Sequence, residues 1–152
     1  HNVATAGLFK LSRRGLVDGH KELAVAAEYK ERMNIRSHSV LQQAGSLSGG
    51  NQQKVVLSKW LYTDADVLIL DEPTRGIDVG AKLEIYTLIN KMVEEGKAVI
   101  VISSELEEIL GVSDRIYTLA YGRITGEVKA DDATQENLME LMTIEPAREE
   151  QK

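Results

Sequence analysis

Two stretches of this chain carry residue types and spacings suited to chemistry. One is Val67-Leu68-Ile69-Leu70-Asp71-Glu72-Pro73-Thr74, in which four aliphatic residues run into two adjacent carboxylates. An unbroken apolar tetrad fits a strand buried on both faces, the kind found in parallel sheets flanked by helices. Pro73 has no N–H with which to extend a ladder, so the strand ends at the acids. Carboxylates at the carboxyl end of a central parallel strand stand where open α/β sheets bind ligands. The alternative reading of the octapeptide is a buried strand that ends in a polar turn.

The other stretch is Gly45-Ser46-Leu47-Ser48-Gly49-Gly50-Asn51-Gln52-Gln53. Ser48 suits an N-cap, and Val55, Val56, Lys59 and Trp60 follow at helical spacing. Gly49 and Gly50 leave backbone N–H groups bare of side chains at a helix start. Orphan donors and the positive end of the helix dipole then face the same way, which suits a phosphate. A capped helix following a glycine-rich turn is the alternative.

The surrounding elements must position these two stretches. Residues 1–18 read as loop or edge, with Ser12-Arg13-Arg14-Gly15 the most turn-like part. Asp18-Gly19 precedes a weakly amphipathic helix from about Lys21 to Met33, with Leu23, Ala26, Ala27 and Lys30 on one side. Asn34 to Gly45 is irregular and polar. After the acids, 74–80 is a loop, and a helix follows from about Ala81 to Glu95. Its buried stripe is Ile85, Ile89, Met92 and Val93, and Gly96 stops it. Residues 98–103 form a second buried strand, so strand, helix and strand make a βαβ unit. Ser104-Glu105-Leu106-Glu107 reads as a capping box opening a short helix that Gly111 ends. Arg115 to Ala120 and Ile124 to Val128 flank a Tyr121-Gly122-Arg123 turn as a hairpin, Thr134 to Met142 is a last helix, and Glu145 to Lys152 is a frayed tail.

Composition narrows the classes. The chain has 152 residues, 43% of them hydrophobic, enough for a real core. A net charge of −6 argues against a duplex nucleic-acid binder. With no cysteine, disulfide frameworks and cysteine metal sites are out, and His1, His20 and His38 lack metal-ligand spacing. No apolar run reaches the length of a membrane span, and no signal peptide is apparent. The expectation is a soluble intracellular protein. A chain opening on His1 rather than Met is expected to be a processed or cut product.

Taken together, Leu47-Ser48-Gly49-Gly50-Asn51-Gln52-Gln53 and Leu68-Ile69-Leu70-Asp71-Glu72-Pro73-Thr74 resemble the signature and Walker B motifs of an ABC-type ATPase. Gly76-Ile77-Asp78 falls where that family keeps its D-loop. The wording Asn51-Gln52-Gln53-Lys54, then Thr74-Arg75-Gly76-Ile77-Asp78-Val79-Gly80, resembles the second nucleotide-binding half of ribose/galactose/xylose-type importers. The similarity runs from about Val3 to Thr143. No Gly, four residues, Gly, Lys, Ser/Thr run is present. The resemblance therefore implies an α/β fold of the P-loop NTPase (RecA-like) type, truncated before its P-loop. Residues 1–64 would be a partial helical subdomain ending in the signature helix. Residues 65–152 would be the C-terminal half of the ATPase core with a C-terminal helix and tail. An incomplete sheet with an exposed apolar surface follows.

By the same resemblance, Asp71 would hold Mg²⁺ through water and Glu72 would polarise the attacking water. Ser48, Gly49 and Gly50, with Asn51 and Gln52 beside them, would meet the γ-phosphate of ATP held by the opposite nucleotide-binding half. Asp78 would tie the halves together. Where the family usually has Ser-His, this chain has Ser103-Ser104; Ser104 either contacts the nucleotide with an uncharged hydroxyl or simply caps a helix. The implied cofactors are ATP and Mg²⁺. The implied partners are the opposite half, transmembrane permease subunits and, indirectly, an extracellular or periplasmic sugar-binding protein, on the cytoplasmic side of the membrane and without nucleic acid. In isolation the chain would be inactive for want of a P-loop. Two other readings remain: the C-terminal lobe of an SMC-type DNA-maintenance ATPase, against which stands the lack of heptads in residues 1–45, and a non-catalytic dimerisation module, against which stands the Asp71-Glu72 pair.

Overall fold

The computed structural model describes residues 2–13 and 15–144. Arg14 of the expected turn and the expected tail from Glu145 lie outside the described residues. The chain forms two compact units, His1–Ile102 and Ser103–Lys152.

The first unit begins with a 3-10 turn at Thr5–Gly7, a one-turn helix α1 (Leu8–Leu11) and a two-residue ribbon, β1 (Ser12–Arg13) paired antiparallel with β2 (Leu16–Val17). The loop-or-edge expectation for 1–18 therefore missed α1, which is too short to show a helical period. Helix α2 (Gly19–Arg32) starts under Asp18, whose carboxylate accepts from His20 N and Lys21 N at 3.1 and 3.2 Å. Its buried residues are Glu22 and Tyr29, with Met33 just beyond. Leu23 and Ala27, expected on one side with Ala26 and Lys30, are exposed. The core lies under Tyr29 and Met33, one helical turn apart, and rotates Leu23 out.

Helix α3 (Gly49–Leu61) buries Gly50, Lys54, Leu57, Ser58 and Leu61, a strict i, i+4, i+7, i+8, i+11 stripe. Val56 and Trp60 face outward. Strand β3 (Val67–Asp71) pairs in parallel with β4 (Ala98–Ile102), Val67 opposite Ala98 through Asp71 opposite Ile102. Helix α4 (Val79–Glu94) connects them, so the βαβ unit is present as expected. Its buried residues are Ile85, Ile89 and Met92; Val93 is exposed. Gly96 ends the helix at φ +87°, a conformation glycine adopts at little cost.

The core joins Tyr29 and Met33 of α2, Leu57 and Leu61 of α3, Leu68 and Leu70 of β3, and Ile85, Ile89 and Met92 of α4. Each such side chain contributes about 1.5–3 kcal/mol on burial. The expectation of two strands buried on both faces does not hold. Leu68 and Leu70 are 7% exposed, while Val67 and Ile69 are 54% and 65% exposed. Ile100 and Ile102 of β4 are half exposed on the same footing. Side chains alternate across a strand, and in this chain helices cover one face of the pair. The expected exposed apolar surface is thus present on one face of the strand pair.

In the second unit, helix α5 (Leu106–Val112) has Glu105 at its N-cap with no capping side-chain bond, and runs past Gly111. The expected capping box from Ser104 is not formed. Ser103 Oγ instead accepts from Glu105 N at 3.0 Å, a serine turn that shifts the helix start. Strands β5 (Arg115–Ala120) and β6 (Arg123–Lys129) form the hairpin, turning at Tyr121 and Gly122, both at positive φ as a type I′ turn requires. Helix α6 (Gln135–Met142) opens on a Thr134/Asn137 capping box. Its Leu141 packs so closely on β6 that a Cβ on Gly126 would lie 2.6 Å from Leu141 Cδ1.

Candidate functional site

Ser48 stands at the N-cap of α3, as its sequence neighbours dictate, but its hydroxyl does not cap the helix. Ser48 Oγ accepts from Asn51 Nδ2 at 2.8 Å, and Asn51 Oδ1 accepts from Arg36 N at 2.7 Å. The side-chain amide of Asn51 thus ties the start of α3 to the segment entering it. Gln52 Nε2 donates to Leu47 O at 2.8 Å and stiffens the turn from the other side. With no side chain capping α3, its positive end can accept a negative group from outside.

The two glycines have distinct reasons. A Cβ on Gly50 would lie 2.6 Å from Ala81 Cβ, so only glycine lets α3 and the first turn of α4 approach this closely. Gly49 is exposed, and a Cβ there would be 3.3 Å from Ile77 Cγ2. The bare-amide reading therefore suits Gly49, while Gly50 is primarily a packing residue. Asp78 caps α4, its Oδ1 accepting from Ala81 N at 2.9 Å.

Ser48, Gly50, Asn51 and Asp78 line one cavity of about 220 Å³ between the starts of α3 and α4. Arg36, Lys54, Gly80, Ala81 and Glu84 complete its wall. Lys54 is buried, and its Nζ donates to Glu84 and, at 3.1 Å, to Asn34 O. Arg36 reaches the other oxygen of Glu84 at 3.3 Å. The hydrogen bond from Lys54 holds the Glu84 carboxyl below the ordinary glutamate range, and Arg36 acts in the same direction. Sequence reading passed over Lys54, although a signal was there: it falls on the α3 stripe with Leu57, Ser58 and Leu61. A lysine on a buried stripe demands a partner.

Asp71 and Glu72 lie at the carboxyl end of β3, as expected, and are not part of that cavity wall. Asp71 is exposed and pairs in register with Ile102. Glu72 sits at φ +46°, rare for a side chain of its size, and its N–H donates to Ile102 O at 2.8 Å. Arg75 N donates back to Glu72 O at 3.2 Å, and Pro73 and Thr74 are fully buried. Strained backbone of this kind concentrates at functional sites. Ser104 belongs to the second compact unit and is exposed.

The family model for ABC transporters matches residues 8–75. The L-arabinose transport ATP-binding protein AraG of Geobacillus stearothermophilus is 54% identical over 142 residues, which cover 93% of this chain and 28% of that protein. Residues 8–75 thus carry the ABC transporter domain, and nearly the whole chain is similar to a sugar-transport ATP-binding protein. The ribose import ATP-binding protein RbsA of Bacillus subtilis strain 168 is 52% identical over 93% of this chain and 29% of its own length. Among solved structures, the dimeric ABC transporter cassette MJ0796 superposes with a TM-score of 0.69 at 24% identity, covering 85% of this chain and 56% of that one. The fold is thus that of an ABC ATPase cassette. The chain spans under a third of the length of these curated relatives.

Proposed function

We propose that this chain supplies the signature motif, Walker B acids and D-loop of the ATPase that drives a monosaccharide ABC importer. The observation that carries the reading is the shared cavity: Ser48, Gly50 and Asn51 from one helix start meet Asp78 from another. Residues 1–64 serve as part of the helical subdomain and 65–152 as part of the ATPase core. The relatives' names, arabinose transport and ribose import, support the substrate class.

In this reading Ser48 Oγ and the Gly49 amide bind the γ-phosphate of an ATP held by the opposite nucleotide-binding half, and Gln52 and Asn51 keep that turn in shape. Asp78 meets the opposite half. At the tip of β3, Glu72 orients and deprotonates the attacking water. The donor set there suits Mg²⁺: Asp71 offers a single exposed carboxylate, and no cluster of three metal-ligating side chains exists among the described residues. Mg²⁺ keeps most of its waters and takes one or two carboxylates plus phosphate oxygens. When bound it neutralises charge on the β- and γ-phosphates. Ser104 stands where histidine is usual and offers only an uncharged hydroxyl, so the hydrolytic site of this half is the weaker of the two that the paired halves form. The main contribution of this chain to turnover is then made in trans, through Ser48 to Gly50. No helix among the described residues is long and apolar enough to cross a membrane. The relatives' names, as transport and import ATP-binding proteins, support contact with permease subunits on the cytoplasmic face.

The test is Ser48→Arg in the intact ATP-binding protein. ATPase turnover should fall at least about tenfold with thermal melting unchanged, because a guanidinium fills the phosphate position. Undiminished turnover would refute the trans role. The 152 residues contain no P-loop sequence and, alone, should show no measurable heat of Mg-ATP binding in calorimetry.

A further inference from the structure

The Lys54–Glu84 pair lies one helical step beyond the close approach of Gly50 to Ala81. On α3, Gly50 and Lys54 are four residues apart; on α4, Ala81 and Glu84 are three apart. Such spacings place each pair on one helix face. Gly50 meets Ala81 with no room for a Cβ, and one turn on, Lys54 meets Glu84. Lys54 is 3% exposed, and its second partner is Asn34 O, in a residue held at φ +48°. Arg36, two residues further, binds Glu84 through its side chain and Asn51 through its backbone. A cation this deeply buried is no surface ornament: removing Glu84 leaves Lys54 desolvated without its counter-charge, while Glu84, 39% exposed, keeps Arg36.

We propose that Lys54 and Glu84 are positioning residues that lock the start of α3 to the start of α4, so that Ser48 and Asp78 are presented as one rigid body. This rests on the function proposed above for Ser48 and Asp78. A glycine contact alone is a pivot, since it fixes one point of approach. The ion pair adds a second point, and two points fix the angle between the helices. Asn34 and Arg36 extend the same lock to the segment leading into α3. Geometry held to within a fraction of an ångström matters because misplacement of a phosphate-binding group by about 1 Å can cost up to about a hundredfold in rate.

The chain contains no cysteine, so paired spin labels can be placed cleanly. Labels at Val56→Cys on α3 and Leu83→Cys on α4, both exposed positions, report the relation of the two helices in the full chain. The unmodified pair should give one narrow dipolar distance distribution. Lys54→Met and Glu84→Gln should each broaden it, and Lys54→Arg should keep it narrow. In the intact ATPase, Lys54→Met and Glu84→Gln should lower kcat by about tenfold to a hundredfold at unchanged KM, and Lys54→Arg should stay within about threefold of the parent. Unchanged label widths in both Lys54→Met and Glu84→Gln would overturn the proposal, as would broadening with undiminished kcat. Loss of the trans role in the Ser48→Arg test removes the functional reading by itself, while the label widths still decide whether the ion pair locks the helices.

Discussion

The start of α3 and the tip of β3 are both candidate phosphate-handling sites, but they are held in place by different means. Around Ser48, side chains do the holding: Asn51 bridges Ser48 and Arg36, Gly50 closes on Ala81, and Lys54 reaches Glu84. Around Asp71 and Glu72, the β3–β4 ladder, the Glu72 N–H bond to Ile102 O and the buried Pro73 and Thr74 take part in the holding. A site built from side chains can be loosened one residue at a time. A site hung on a strand end moves only with its strand. That strand is anchored through Leu68 and Leu70 on one face, while Val67 and Ile69 remain exposed on the other.

Mutations can sharpen or break this contrast. The largest effect is expected for Glu72→Gln in the intact ATPase: turnover falls by about 10²–10⁴-fold as the base is lost. Its melting temperature should change little, since Gln keeps the shape of the side chain and the bond from Glu72 N–H to Ile102 O does not involve it. A drop in melting temperature would show that the carboxylate is structural. Next come the two faces of β3. Leu70→Ala should cost about 2–5 kcal/mol in denaturant unfolding, and Ile69→Thr should stay within about 0.5 kcal/mol. Equal costs would mean that the exposed face is covered in solution. Gly50→Ala should destabilise by about 1–3 kcal/mol despite the better helix propensity of alanine, because the new methyl overlaps Ala81. Gly49→Ala, with 3.3 Å to Ile77 Cγ2, should cost less.

The smallest effect concerns pH. The Glu84 carboxyl titrates lower in the folded chain than in the unfolded one, chiefly through its bond from Lys54. The unfolded chain therefore takes up this proton first as pH falls, so stability from the pair is complete above the ordinary glutamate range and is lost as pH drops through the lower folded value. Glu84 is 39% exposed, which keeps the effect modest. Unfolding of Glu84→Gln followed across the acid range should lack this component of the pH dependence. A curve parallel to that of the parent would show that the pair is not coupled to folding.

Element positions were legible from local patterns. Residues 79–94, 98–102 and the 115–129 hairpin could be located because period, caps and positive-φ residues such as Gly96 and Gly122 act within a few residues. Helix faces were less legible. Val56 and Trp60 lie on α3 at helical spacing yet face outward, and Leu23 is displaced from the core by Tyr29 and Met33. Burial is decided by what lies opposite, and four aliphatic residues in a row cannot say which of two faces a helix will cover. The hydroxyl of Ser48 illustrates the same limit. Its type suits capping, but Asn51 three residues on offers a partner that claims it.

Residue type and spacing by themselves determined the βαβ order, the acid tip at Asp71-Glu72, and the glycine-bared helix start at Ser48 to Gly50, because each is a local property of backbone period, proline and glycine. Only the tertiary structure decided that Gly50 serves packing against Ala81, that Lys54 answers Glu84 across 30 residues of chain, and that one face of β3 and β4 stays open. Those outcomes depend on which surfaces meet in space. Side-chain contacts between distant segments leave no periodic trace along the chain.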